Sequence, residues 1–293
     1  MADDTKNHKD NDESSSGLHR REFVGLTVAA GFAATVGPAA AALDVVETNV
    51  DIKTPDGTCD AAFFHPKTGT YAGVLIWPDA FGLRPSLRGI GRRLAAEGYS
   101  VLVPNPFYRV AKDPFTDAST VDFAKERAKI TPLMASVNTA GNAEKDAIAY
   151  VAFLDAQKEV DKKKKIGVQG YCMGGPLVLR TAATIPDRIG AGASFHGGGL
   201  VSDQPSSPHL LAPKIKARLY FGIASSDDKQ QPDAKVKLKE AFPAAKIEVY
   251  TEAMHGWCIP DMPPQANGMP TYSKADAERA WGELLALYKS ALA

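Results

Sequence analysis

The sequence predicts an α/β fold with a mostly parallel central sheet and helices on both faces. Three observations predict it. From Val45 onward, short apolar runs rich in β-branched residues alternate with stretches of helical period. That alternation builds parallel strands joined by crossover helices. The segment Gly170-Tyr171-Cys172-Met173-Gly174-Gly175 follows directly on the apolar run Ile166-Gly167-Val168-Gln169, and reads as a strand, a sharp turn and a helix start. Finally, the candidate reactive residues all fall just past predicted strand ends, where open parallel sheets bind ligands.

Taken in order, residues 46–53 and 60–65 read as an opening antiparallel hairpin, with Pro55-Asp56-Gly57 as its turn. Residues 73–77 are the first parallel strand, 86–97 the helix after it and 100–104 the next strand. Helical patterns follow over 119–133 and 140–157. The run Lys162-Lys163-Lys164-Lys165 is the one dense basic patch, and it reads as a solvated loop. Residues 166–170 form the strand before the turn, and 175–185 the helix beyond it. Strands over 189–194, 217–223 and 246–250 complete the sheet, with a helix over 234–241 between the last two. The closing helix, 273–292, has apolar Ala280, Leu284, Leu287 and Ala291 on one face, a stripe suited to the core.

Residues 1–42 stand apart from this pattern. Positions 1–19 are polar and charged, a composition that does not bury a core. His19-Arg20-Arg21-Glu22-Phe23 then leads into an Ala/Gly-rich apolar run that ends at Ala39-Ala40-Ala41. Twin arginines, a mildly apolar segment and small residues at its end resemble a twin-arginine export signal. The expectation is an exported, periplasmic protein with one domain over 43–293 and no stable membrane span once the signal is removed. An amphipathic helix with a chance Arg-Arg pair, on a cytoplasmic protein, is the alternative.

The 293 residues are 44% hydrophobic, ample for one sizeable domain. Lys+Arg 34 balances Asp+Glu 34, so charge points to no nucleic-acid partner. Three cysteines exclude a disulfide scaffold, although Cys59 and Cys258 could pair and leave Cys172 free. The six histidines are scattered without metal-ligand spacing. No phosphate loop or dinucleotide fingerprint is present. The expectation is therefore neither metal nor cofactor.

The glycines around Cys172 suit a nucleophile elbow, with Cys where Ser is usual. The turn strains the nucleophile's backbone and leaves no room for neighbouring side chains. The helix start beyond it offers N–H groups and a positive dipole end, which favour a thiolate. A cysteine nucleophile needs a base, and the base an orienting acid. The chain order offers Cys172, then Asp227 or its neighbour Asp228, then His255. Asp227 fits the acid's loop position better, though either aspartate could instead cap a helix. The backbone N–H groups of Met173 and Ala80 are candidates for an oxyanion hole. Asp79 either tunes the Cys172 proton or is an ordinary turn aspartate. His196, in His196-Gly197-Gly198-Gly199, either contacts substrate or belongs to a structural turn. Phe81, Tyr171 and Trp257 suggest an apolar substrate pocket.

The elbow, the segment 77–82, the Asp227 loop and Met254-His255-Gly256-Trp257 together resemble the dienelactone hydrolase family. The resemblance runs from about Val45 to the C-terminus. It implies the α/β-hydrolase fold and a Cys172–Asp227–His255 triad that cleaves a small-molecule lactone or carboxylic ester without a cofactor. A general carboxylesterase, or a binding protein that kept the fold, is the alternative. The family's lactonases carry Glu where Asp79 stands. They also hold the substrate carboxylate with arginines, one shortly after the catalytic histidine, where this chain has Trp257-Cys258-Ile259-Pro260-Asp261. Arg84 and Arg109 are the candidates to replace them.

Overall fold

The computed structural model of the chain describes residues 42–113 and 117–292. Eight strands form its sheet: β1 (Val45–Thr54), β2 (Gly57–Pro66), β3 (Gly73–Trp77), β4 (Ser100–Pro104), β5 (Ile166–Tyr171), β6 (Ile189–Phe195), β7 (Arg218–Ala224) and β8 (Lys246–Tyr250). Their spatial order is β1-β2-β4-β3-β5-β6-β7-β8. β1 and β2 form the expected hairpin, β2 lies antiparallel to β4, and every later pairing is parallel. Unlike the purely solvated second face of many antiparallel sheets, the parallel strands bury both faces. In β3, Leu75 and Trp77 enter one core while Val74 and Ile76 enter the other, as the two-residue period of a strand requires.

Among the described residues, seven α-helices accompany the sheet: α1 (Pro85–Ala96), α2 (Phe123–Asn138), α3 (Asn142–Ala156), α4 (Gly174–Thr184), α5 (Ser225–Gln230), α6 (Ala234–Ala241) and α7 (Lys274–Ala291). One core holds Val137, Ala147, Tyr150, Leu154 and Leu177 from α2, α3 and α4. The other holds Leu87 and Leu94 from α1 with Ala280, Leu284 and Tyr288 from α7. The expected stripe on the closing helix thus faces the sheet.

Two elements depart from expectation. The pattern over 119–133 stops next to Pro132, a residue that costs a helix one hydrogen bond and adds a clash. The helix nevertheless runs on to Asn138, because the second half buries Leu133 and Val137. The second departure is α5, whose six residues Ser225-Ser226-Asp227-Asp228-Lys229-Gln230 contain no apolar side chain.

The possible Cys59–Cys258 pair does not form, and all three cysteines are free. The two sulfurs belong to cores on opposite faces of the sheet. Burial pushes the Cys59 thiol up to about 12, outweighing the hydrogen bond it accepts from Tyr150. Lys162, Lys163 and Lys165 are exposed in the loop before β5. The expected export segment lies outside the described residues apart from Ala42. No helix among the described residues is long and apolar enough to cross a membrane.

The topology selects one place for a site. After β3 the chain moves outward to β4, then returns to lay β5 on the opposite side of β3. The crevice at the C-terminal ends of β3 and β5 is the switch point where such sheets bind ligands.

Candidate active site

β5 ends at Tyr171, and the chain turns at Cys172 with φ 52°. A non-glycine residue in that region carries a strain of about 1–3 kcal/mol. The turn is as sharp as the glycines imply. A Cβ on Gly170 would lie 2.1 Å from the Gly174 carbonyl oxygen. A Cβ on Gly174 would lie 2.4 Å from the Trp77 carbonyl oxygen and 2.7 Å from that of Pro78. The start of α4 therefore packs directly on the segment leaving β3. That contact brings the Met173 and Ala80 backbones to the same crevice. Among the described residues neither N–H has a hydrogen-bond acceptor, although both residues are buried. Two unpaired donors on buried residues beside the Cys172 turn are what an oxyanion hole would require.

His255 follows β8 and is fastened through both backbone and ring. Its N–H donates to Ser226 Oγ at 2.9 Å, and its Nδ1 meets both Asp227 carboxylate oxygens at 2.9 Å. Asp228 turns the other way and takes Lys235 Nζ on both oxygens at 2.7 Å. Adjacent residues on a helical turn cannot face the same partner, so Asp227 alone meets the imidazole. The Cys172 thiol is the second group that acts on the His255 ring. Burial presses the His255 pKa down, but its bonds to Asp227 and Cys172 more than reverse this and raise it to about 10.

His196 is the second residue with strained backbone, at φ 40°. It is fully buried, and its Nδ1 accepts the Cys172 N–H at 3.1 Å. Its proton therefore sits on Nε2, which has no partner among the described residues. Burial first, and the charge of His255 second, hold its pKa well below the ordinary value. Its ring stands edge-on to His255 at 4.9 Å and to Trp257 at 5.2 Å. His196 thus packs behind the elbow as a neutral support and is absent from the walls of the cavity at Cys172.

Several expected pocket residues have other work. Tyr171 and Trp257 belong to the core on the α1–α7 face, since Tyr171 points opposite to its neighbour Cys172. Trp257 stacks on Tyr250 at 4.7 Å. Phe81 is buried beneath the Arg84 guanidinium. None of the three lines the cavity at Cys172. Asp79 is 1% exposed, and both its oxygens are held by Arg84, at 2.7 and 2.9 Å. Its Oδ1 also accepts the Phe81 N–H, so it is a turn aspartate that fastens the loop carrying Ala80. Arg84 closes the clamp on Asp261 at 2.8 and 2.9 Å. Arg109 is likewise committed, to Asp146 and Asp56. Neither arginine replaces the family's carboxylate ligands, because each already spends its guanidinium on two carboxylates.

The cavity over Cys172 has a volume of about 610 Å³. Its walls come from the elbow and α4 (Met173, Pro176, Arg180), from the α2–α3 corner (Met134, Glu144) and from the Gly198-Gly199 loop. The α2–α3 wall was not foreseen, since nothing local in those helices marks a ligand surface. Arg180 had one faint signal. With Met173, Pro176 and Leu177 it continues the face of α4 that starts beside Cys172. Among the described residues no group of three His, Cys, Asp or Glu side chains is arranged to hold a metal.

With this geometry in place, comparison with known proteins is direct. Residues 59–292 match the dienelactone hydrolase family. The chain belongs to that family. A protein of Methylorubrum extorquens, provisionally named a carboxymethylenebutenolidase, is 28% identical over 284 residues, covering 91% of each chain. The carboxymethylenebutenolidase of Rhodococcus opacus is 32% identical over 165 residues, 55% of this chain and 58% of its own. Among solved structures, a provisionally assigned dienelactone hydrolase from Klebsiella pneumoniae superposes with a TM-score of 0.65 at 22% identity. It covers 84% of this chain and 99% of its own. At that identity the likeness speaks to fold alone, which is the α/β-hydrolase fold shared by dienelactone hydrolases.

Proposed function

We propose that this dienelactone hydrolase family member cleaves a carboxylic ester or lactone through Cys172, His255 and Asp227. One observation carries the reading. The His255 imidazole is held on Nδ1 by the Asp227 carboxylate and has its pKa raised in part by the Cys172 thiol, beside an elbow flanked by two unpaired N–H donors. The Cys172 sulfur attacks the acyl carbonyl while its proton resides on His255. The oxyanion accepts hydrogen bonds from Met173 and Ala80. The carbonyl re-forms as the C–O bond breaks, and His255 returns the proton to the departing oxygen. Water, deprotonated by His255, then attacks the thioester, and the acid leaves with the thiol restored. Asp227 keeps Nδ1 protonated and the ring aimed throughout.

The locked Arg84 and Arg109 favour simple esters over a compact carboxylated lactone as substrate. The test compares p-nitrophenyl acetate with a dienelactone on residues 43–293. Faster turnover of the aryl ester is expected. Turnover confined to the dienelactone would reverse the preference, and no turnover of either would favour a binding role. Residues 1–42 are proposed as a twin-arginine export segment. Replacing Arg20 and Arg21 by lysine should keep the protein in the cytoplasm, and unchanged periplasmic recovery would refute export.

A further inference from the structure

We propose that Arg180 forms a distal anion subsite in the cavity over Cys172, so that the enzyme prefers esters whose acyl chain ends in a carboxylate. This rests on the hydrolase reading above and adds a substrate class to it. Among the described residues, Glu144 and Arg180 are the charged side chains that line the cavity. Arg180 donates from Nε and Nη2 to the two oxygens of Glu144, each at 2.7 Å. Its Nη1 has no acceptor among the described residues. The Arg180 side chain is only 15% exposed, which strengthens a charge-assisted bond relative to one in open water. Glu144 holds the guanidinium in a fixed plane, ready for a second acceptor. It also opposes an incoming carboxylate by its own charge. Burial raises the Glu144 pKa, but Arg180 more than offsets this, and the net shift is downward.

Geometry sets the length of the substrate. Arg180 lies eight residues beyond Cys172, about 10–12 Å along α4 at 1.5 Å per residue. Helical side chains lean back toward the N-terminus, which brings the guanidinium to roughly 6–9 Å from the sulfur. An extended chain spans that gap in about five to seven bonds. The anion belongs on the acyl side. The leaving oxygen must sit at His255 to collect its proton, and neither His255 nor Asp227 lines this cavity. The arm that fills it is therefore the acyl chain. A carboxylate attached close to a lactone ring would fall short of Arg180.

The test uses mono-p-nitrophenyl esters of dicarboxylic acids from glutarate to sebacate, each beside its uncharged methyl diester, with background hydrolysis subtracted. The readout is the ratio of kcat/KM for acid over methyl ester. In the wild type this ratio should peak at intermediate chain length. Arg180→Met should lower the peak about tenfold, through KM, the scale of one charge-assisted hydrogen bond. Glu144→Gln keeps the guanidinium and removes the opposing charge, so it should raise the ratio severalfold. This gain also serves if Arg180→Met does not fold. A flat chain-length profile, or a ratio that neither variant moves, overturns the subsite. Loss of p-nitrophenyl acetate hydrolysis in Cys172→Ala alongside a flat profile would overturn the subsite alone. Retained hydrolysis in Cys172→Ala would overturn the mechanism on which it rests.

Discussion

Replacing Arg84 by methionine should be among the most damaging single changes in the protein, although Arg84 is not among the residues lining the cavity over Cys172. Its guanidinium is fully buried and makes two bonds to Asp79 and two to Asp261, all between 2.7 and 2.9 Å. Methionine fills similar space but leaves the Asp79 carboxylate, 1% exposed, without its counter-charge. Removing one partner of a buried ion pair costs about 3–5 kcal/mol. For a domain of this size each kcal/mol lowers Tm by about 2–4 °C, so the expected drop is roughly 6–20 °C. The loop between Asp79 and Arg84 also carries the Ala80 N–H, so kcat should fall with stability. Differential scanning calorimetry gives the first quantity, and p-nitrophenyl acetate kinetics at a temperature where the variant is folded gives the second. Adding Asp79→Asn to Arg84→Met removes the orphaned charge and should recover part of the lost Tm. A single variant within about 1 kcal/mol of wild type would refute the reasoning. The clamp would then be incidental, with the loop held by its backbone contacts.

Other predictions concern the site itself. Asp227→Asn should reduce kcat by several orders of magnitude, on the scale of about 10⁴ known for triad acids, whereas Asp228→Asn should stay within a few-fold; equal losses in steady-state assays would contradict the assignment. His255 titrates near pH 10 in the folded protein, above its ordinary 6.5. Its stabilising contribution is therefore complete below about 6.5 and is lost as pH rises through about 10. Proton NMR of the His255 ring should show a midpoint near 10 that falls in Cys172→Ala and in Asp227→Asn. A wild-type midpoint near 6.5 would contradict this coupling of His255 to Asp227 and Cys172. Gly174→Ala drives a Cβ to 2.4 Å from the Trp77 carbonyl oxygen, so it should cost about 1–3 kcal/mol of overpacking and lower kcat by separating Met173 from Ala80. Denaturant melts and ester kinetics check both effects.

Much of this arrangement was legible in the chain. Ile166–Tyr171 and its glycines announce strand and elbow because close backbone approach leaves few other residues possible. The order Cys172, Asp227, His255 follows from which strand ends share one edge of a parallel sheet. What was not legible depends on contacts across the sequence. α5 has no apolar residue to create a period, and is held by its place between β7 and α6. Tyr171 and Cys172 are adjacent yet face opposite cores, so neighbourhood in sequence misassigned the aromatic pocket. Asp79 looks able to tune the Cys172 proton until Arg84, five residues on, is seen to bind it. Glu144 and Arg180 sit on ordinary helical faces, and only the packing of α3 on α4 makes them one wall of a cavity.

The most direct test of the central claim is mass spectrometry of the enzyme acid-quenched during turnover of p-nitrophenyl acetate. The mechanism predicts one acetyl group, located by peptide mapping on Cys172, that accumulates in the burst phase and decays with turnover. Acetylation should vanish, with activity, in Cys172→Ala. Steady turnover with Cys172 unmodified, or an active Cys172→Ala variant, would contradict covalent catalysis by this thiol.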